Sequence, residues 1–256
     1  MLPKIPSETV GKIYEDLFQP ALRQFGTAGE RVAQTVCMLS LPFAVGAAKY
    51  EQLLDRIQKS FVKVPEEDLS PPPVNAVFQI SEKLMSLPED DAISEMYIAL
   101  LSSCLSKKYV DSVHPAFINL INQISGDEAL FIDCLAQLER AIYLKKDDSW
   151  RPPNKSEIAQ IIIPWSGTLL DGGPIEKAVF NPDILNIPHH FFTYLEHLNS
   201  LGIIEYVHGP DYLLTDDIIK GINGYKHWFI SLSKFGRLFY NVCIKNSDAN
   251  YSADEF

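Results

Sequence analysis

Cysteine is scarce and scattered. The 256 residues hold four, Cys37, Cys104, Cys134 and Cys243, with no C-x-x-C pair among them. That excludes a disulfide scaffold, and because each thiol sits in an apolar run, it is expected to be buried and inert. Positive charge is also short: 22 Lys and Arg stand against 33 Asp and Glu, a net charge of −11. The deficit is even, with 11 basic and 15 acidic groups in residues 1–124 and the same numbers in 125–245. No region is basic enough to neutralise a run of phosphates, which weighs against nucleic acid. Catalytic signatures are missing too. There is no G-x-S-x-G elbow and no H-E-x-x-H helix, and the glycines at 172–173 and 221–224 match neither a phosphate loop nor a dinucleotide turn. Met1 to Lys12 has no apolar core of signal-peptide length, so a reducing cytoplasm is the expected location.

Long apolar runs are lacking, apart from one. Between Arg31 and Lys49 lie seventeen uncharged residues, Val32 to Ala48. As a straight helix they span about 25 Å, short of the roughly 30 Å of hydrocarbon in a bilayer. Gln34, Thr35, Ser40, Pro42 and Gly46 interrupt them. A buried core helix or helical hairpin is the expectation, and a segment that meets the membrane on activation is the alternative.

What is present is helical periodicity. Ser7 can cap a helix through Phe18, and Thr27-Ala28-Gly29-Glu30 reads as a capping box. Tyr50, Leu53, Leu54, Ile57 and Phe61 form a one-sided stripe. Ser70-Pro71-Pro72-Pro73 breaks the chain, and Val74, Val77, Phe78 and Leu84 supply the apolar face of the next helix. Acids at 89–91 then open a helix carrying Ile93, Met96, Tyr97, Leu100, Leu101 and Cys104. His114-Pro115 starts a short helix with Phe117, Leu120, Ile121 and Ile124. Ser125-Gly126-Asp127-Glu128 is a second capping box, predicting a helix through about Tyr143, and the polar stretch Lys145 to Lys155 reads as a hinge or exposed loop, the best candidate for an internal boundary.

The pattern changes after Asn154. Ile161-Ile162-Ile163 suits a strand or a buried helix end. Phe191, Tyr194, Leu195 and Leu198 predict a helix stopped by Gly202. Ile203 to Val207 and Trp228-Phe229-Ile230 read as strands, with Tyr212-Leu213-Leu214 pairing back after the turn His208-Gly209-Pro210-Asp211, and Leu232 to Ile244 as a closing helix. Helix, helix, strand, turn, strand and helix is the grammar of a winged helix. The fold class is therefore read as mainly α, with a helical bundle over 1–124, a winged-helix-like α+β region over 125–245 and a loose tail over 246–256.

Six histidines invite a search for chemistry. His189, His190 and His197, with Glu196, are the closest group, but imidazoles seven residues apart on a helix stand roughly 10 Å apart, too far for one metal. They read as surface or cap residues, and His114 as a cap before Pro115. No catalytic, cofactor-binding or metal-ligating residue is assigned, and no cofactor is implied. The predicted recognition helix, His189 to Leu201, contains no Lys or Arg, so packing or protein contact is its expected use.

Several segments together resemble the abortive infection alpha (Abi-alpha) family, a bacterial domain of unknown function. They are Lys12-Ile13-Tyr14-Glu15-Asp16-Leu17 with Gln19-Pro20-Ala21-Leu22, Val64-Pro65-Glu66-Glu67 leading to Pro71-Pro72-Pro73, and Leu100-Leu101-Ser102-Ser103. His114-Pro115-Ala116-Phe117, Leu201-Gly202-Ile203-Ile204 and Leu232-Ser233-Lys234-Phe235-Gly236 complete the series, which covers about residues 10–245. The resemblance implies bacterial defence against phage, without catalytic residues to carry over. The resulting expectation is a non-enzymatic anti-phage protein that works through protein contacts or self-association, with membrane disturbance through 32–48 when triggered. A winged-helix transcriptional regulator and a toxin-like nuclease are the rivals.

Overall fold

The computed structural model describes residues 47–88, 91–138, 140–146, 149, 151–162, 169–170, 173–208 and 225–245. The expectations for Ser7 to Gly46, for the turn and strand at 209–214 and for the tail after Asn246 lie outside them. The chain divides into two compact units, one of residues 1–123 and 241–249, the other of 124–240 and 250–256.

The first unit is helical. Its described helices are α1 (Ala47–Val62), α2 (Val74–Ser86), α3 (Ala92–Leu105) and α4 (Phe117–Ile121). Asp91 caps α3 by accepting the Ile93 N–H, and Pro73 stands just before the first turn of α2. Helix α3 is apolar on every side and is buried from Met96 to Leu105, because α1, α2 and α4 all pack against it. Polar groups in this core are tied to backbone. The Tyr97 hydroxyl donates to Ile118 O at 2.9 Å and the Ser103 hydroxyl to Val242 O at 3.0 Å. The buried Arg56 guanidinium donates to Leu84 O and Leu87 O, closing the end of α2.

The second unit opens with α5 (Gly126–Ala136), followed by β1 (Ala141–Lys146), α6 (Lys155–Ile162) and a two-residue ribbon, β2 (Leu169–Leu170) with β3 (Gly173–Pro174). Then come α7 (Ile175–Ala178), α8 (Phe191–Ser200), β4 (Ile204–Val207), β5 (Tyr225–Leu232) and α9 (Lys234–Cys243), the last three residues of α9 belonging to the first unit. Strands β1, β5 and β4 form an antiparallel sheet in that order, with Tyr143 opposite Trp228 and Ile204 opposite Leu232. Ile142, Leu144 and Phe229 of the sheet cluster with Ile158, Ile161 and Ile175, and Phe131, Phe180 and Phe191 pack on one another edge-on or stacked.

Two expectations need correction. The helix opened by Ser125 ends at Ala136, not near Tyr143, because Ile142 and Tyr143 pair across the sheet with Phe229 and Trp228. β-Branched and aromatic side chains fit that pleated surface better than another helical turn. The hinge is correspondingly shorter, since Lys145 and Lys146 belong to β1 and α6 begins at Lys155. Ile161 and Ile162 close α6, with Ile161 buried, and Ile163 lies outside the described residues.

Candidate functional site

A set of ionisable side chains gathers where α5 begins. Ser125 and Glu128 form a reciprocal capping box: the Ser125 hydroxyl accepts the Glu128 N–H, and Glu128 Oε2 accepts the Ser125 N–H at 2.7 Å. This geometry turns Glu128 inward, and its side chain is 4% exposed. Its other oxygen, Oε1, meets His197 Nδ1 at 2.6 Å, while the imidazole is 35% exposed. Asp127 is equally committed. Its Oδ1 accepts the Asn186 backbone N–H at 2.9 Å and side-chain amide at 2.8 Å, and its Oδ2 accepts the Ile187 N–H at 2.9 Å and the Tyr194 hydroxyl at 3.1 Å. Burial alone would push the Asp127 carboxyl up, but these four donors together outweigh it and hold the group below its ordinary value. Tyr194 is pushed up to about 12 by burial and then by the Asp127 carboxylate.

A carboxylate on Nδ1 of a histidine is the orienting half of a hydrolytic triad. The other half is a nucleophile on Nε2, and among the described residues no hydroxyl or thiol is paired there. The neighbouring histidines do not join it. His189 and His190 lie on the exposed single turn before α8, with ring centroids 4.5 Å apart, and His190 packs edge-on to Tyr194 at 6.0 Å. Among the described residues no group of His, Cys, Asp or Glu is placed to hold a metal ion. The cluster therefore braces α5, the 186–187 backbone and α8 against one another. His114 also acts on backbone: its Nδ1 accepts the Ala116 N–H at 3.1 Å and its carbonyl accepts the Phe117 N–H at 3.0 Å.

Helix α8 turns Phe191, Phe192, Tyr194, Leu195 and Leu198 inward and leaves Thr193, Glu196, Asn199 and Ser200 exposed. Thr193, Glu196, His197 and Ser200 fall three and four residues apart, so they line one outward stripe without a cation. Exposed Lys234 and Arg237 lie on α9, and exposed Lys226 on β5.

Sequence reasoning did not foresee the junction between α8 and α9. Gly202 ends α8 in the left-handed region at φ 72°. The Ser233 hydroxyl donates to Gly202 O at 2.5 Å and accepts the Gly236 N–H at 2.9 Å, while Ser233 N–H donates to Ile203 O at 3.0 Å. A Cβ on Gly236 would stand 2.0 Å from Ile203 O, so only glycine allows the approach. Leu201-Gly202-Ile203-Ile204 and Ser233-Lys234-Phe235-Gly236, separate signals in the sequence, are two sides of one contact. The pairing of a glycine stop with a downstream S-x-x-G was the available clue.

No helix among the described residues is long and apolar enough to cross a membrane, and residues 32–46 lie outside them. No curated protein and no solved structure matches the chain. The family model for abortive infection alpha does match, over residues 46–243, which takes in both glycine contacts, the capping box and the His114 turn. The chain belongs to the abortive infection alpha family, and that membership implies an anti-phage role in abortive infection.

Proposed function

We infer that the protein is a non-enzymatic defence protein that acts through protein contacts, its second unit serving as a winged-helix-like contact module. One observation carries this reading. The outward stripe of α8, where a nucleic-acid reader needs Lys or Arg, presents Thr193, Glu196 and Ser200 beside a His197 already braced by Glu128. The order α5, β1, α8, β4, β5 with β5 between β1 and β4 supports the winged-helix reading, residues 155–178 being an insertion into it. Residues 209–224, between β4 and β5, lie outside the described residues.

The partner is a host or phage protein, or a second copy of the chain. On triggering, the uncharged segment 32–48 carries the effect to the membrane. Infected cells expressing the protein should lose membrane potential as protection sets in, with part of the protein moving to the membrane fraction. Full potential in a protected culture, with the protein soluble throughout, removes the membrane step. The promoter-regulator rival predicts salt-sensitive DNA binding. The purified chain is expected to shift no DNA even at low salt.

A further inference from the structure

A groove of about 440 Å³ in the first unit is lined by Lys63, Lys108 and Lys245, with Asp68 as its one acid among the described residues. Its floor is hydroxylated: Ser102, Ser103 and Ser106 are all more than nine-tenths buried, and Tyr109 stands beside them. In a chain of net charge −11, three lysines from three separate stretches meet over one cavity.

Lysines following helix ends commonly serve the terminal carbonyls. Here those carbonyls are taken by other donors. Phe61 O accepts Val64 N–H, Ser103 O accepts Ser106 N–H, Leu105 O accepts Ser70 N–H, and Val242 O accepts the Ser103 hydroxyl. Lys107, outside the groove, makes an ammonium contact of that kind, donating to Glu67 O at 2.7 Å. Lys108 instead lies 4.8 Å from the centroid of the Tyr109 ring, which keeps its ammonium at the groove's edge. Lys63 approaches Glu95 at 3.9 Å, near the limit of an ion pair. The floor offers both senses of hydrogen bond. Ser102 and Ser103 donate to Ile98 O and Val242 O, so their oxygens can accept. The Ser106 oxygen accepts the Lys108 N–H, so its own proton is left to donate.

We propose that this groove binds the phosphate of a small organic phosphate ester, held by Lys108, Lys245 and Lys63 with the Ser106 hydroxyl beneath. The volume suits a ligand of mononucleotide size. Asp68 opposes the anion in part, which favours an ester that also carries hydroxyl or amine donors.

The phosphate can belong to a free nucleotide or to a phospholipid headgroup, and the test separates them. Full-length protein is titrated with ATP by calorimetry, and in parallel sedimented with vesicles of phosphatidylcholine alone or with added phosphatidylglycerol. Lys108→Glu and Lys245→Glu, both at exposed positions, are compared with Lys177→Glu, an equal charge change at an exposed site in the other unit. Saturable binding to ATP or to the anionic vesicles, weakened about tenfold or more by each groove variant and unchanged by Lys177→Glu, supports the site and names its source. Circular dichroism checks that the variants fold. Absence of binding in both arms, or equal losses in all three variants, overturns it.

Discussion

Asp127 shows how a residue that looks catalytic is used up by the fold. Its carboxylate receives four donors, two of them backbone N–H groups. Asp127→Ala should cost about 1–3 kcal/mol in urea unfolding, because it leaves the buried Tyr194 hydroxyl and the part-buried Asn186 and Ile187 donors unmatched. The pH dependence follows in sign. The folded carboxyl sits below its ordinary value, so its contribution is complete above the ordinary value and is lost as pH falls through the folded one. His227 adds to this at milder acidity. Burial holds its ring below the ordinary 6.5, so as pH drops past that value the unfolded chain takes up a proton that the folded ring refuses. Stability measured from pH 7 to pH 3 should decline in both ranges, and Asp127→Ala should flatten the lower one. The thiols give a separate check. Cys104 and Cys134 are pushed up to about 12, chiefly by burial, and Cys243 is pushed up as well. These three should react with a disulfide reagent only after unfolding.

The contact between the end of α8 and the start of α9 depends on two glycines for different reasons. Gly202→Ala meets a backbone φ of 72° with open space around the new Cβ, and should cost about 1 kcal/mol. Gly236→Ala meets the Ile203 carbonyl instead, and should cost about 3 kcal/mol; thermal unfolding ranks the two. Much at this level was legible in the sequence. The Ser125 capping box, the glycine stop of α8 and the apolar spacing of α3 are local signals, and the structure carries all three. The start of β1 was not. Its preference for strand over helix comes from Phe229 and Trp228, more than eighty residues away, and no local window contains them. The pairing of Glu128 with His197 was hidden for the same reason: one lay in a cap and the other in a predicted recognition helix.

The family assignment supplies an anti-phage role in abortive infection. The first unit offers a helical core with a basic groove; the second, a small sheet flanked by a helix whose outward stripe is neutral to acidic. On the proposed function, the second unit acts by what it presents on α8, while His197 acts only as a brace. Phage plating on cells producing matched levels of wild type, His197→Ala and Glu196→Lys with Ser200→Lys measures this directly. The prediction is that His197→Ala still protects wherever the protein folds, and that the two-lysine variant folds but loses protection. Loss of protection in a folded His197→Ala protein, with the two-lysine variant fully active, would contradict it.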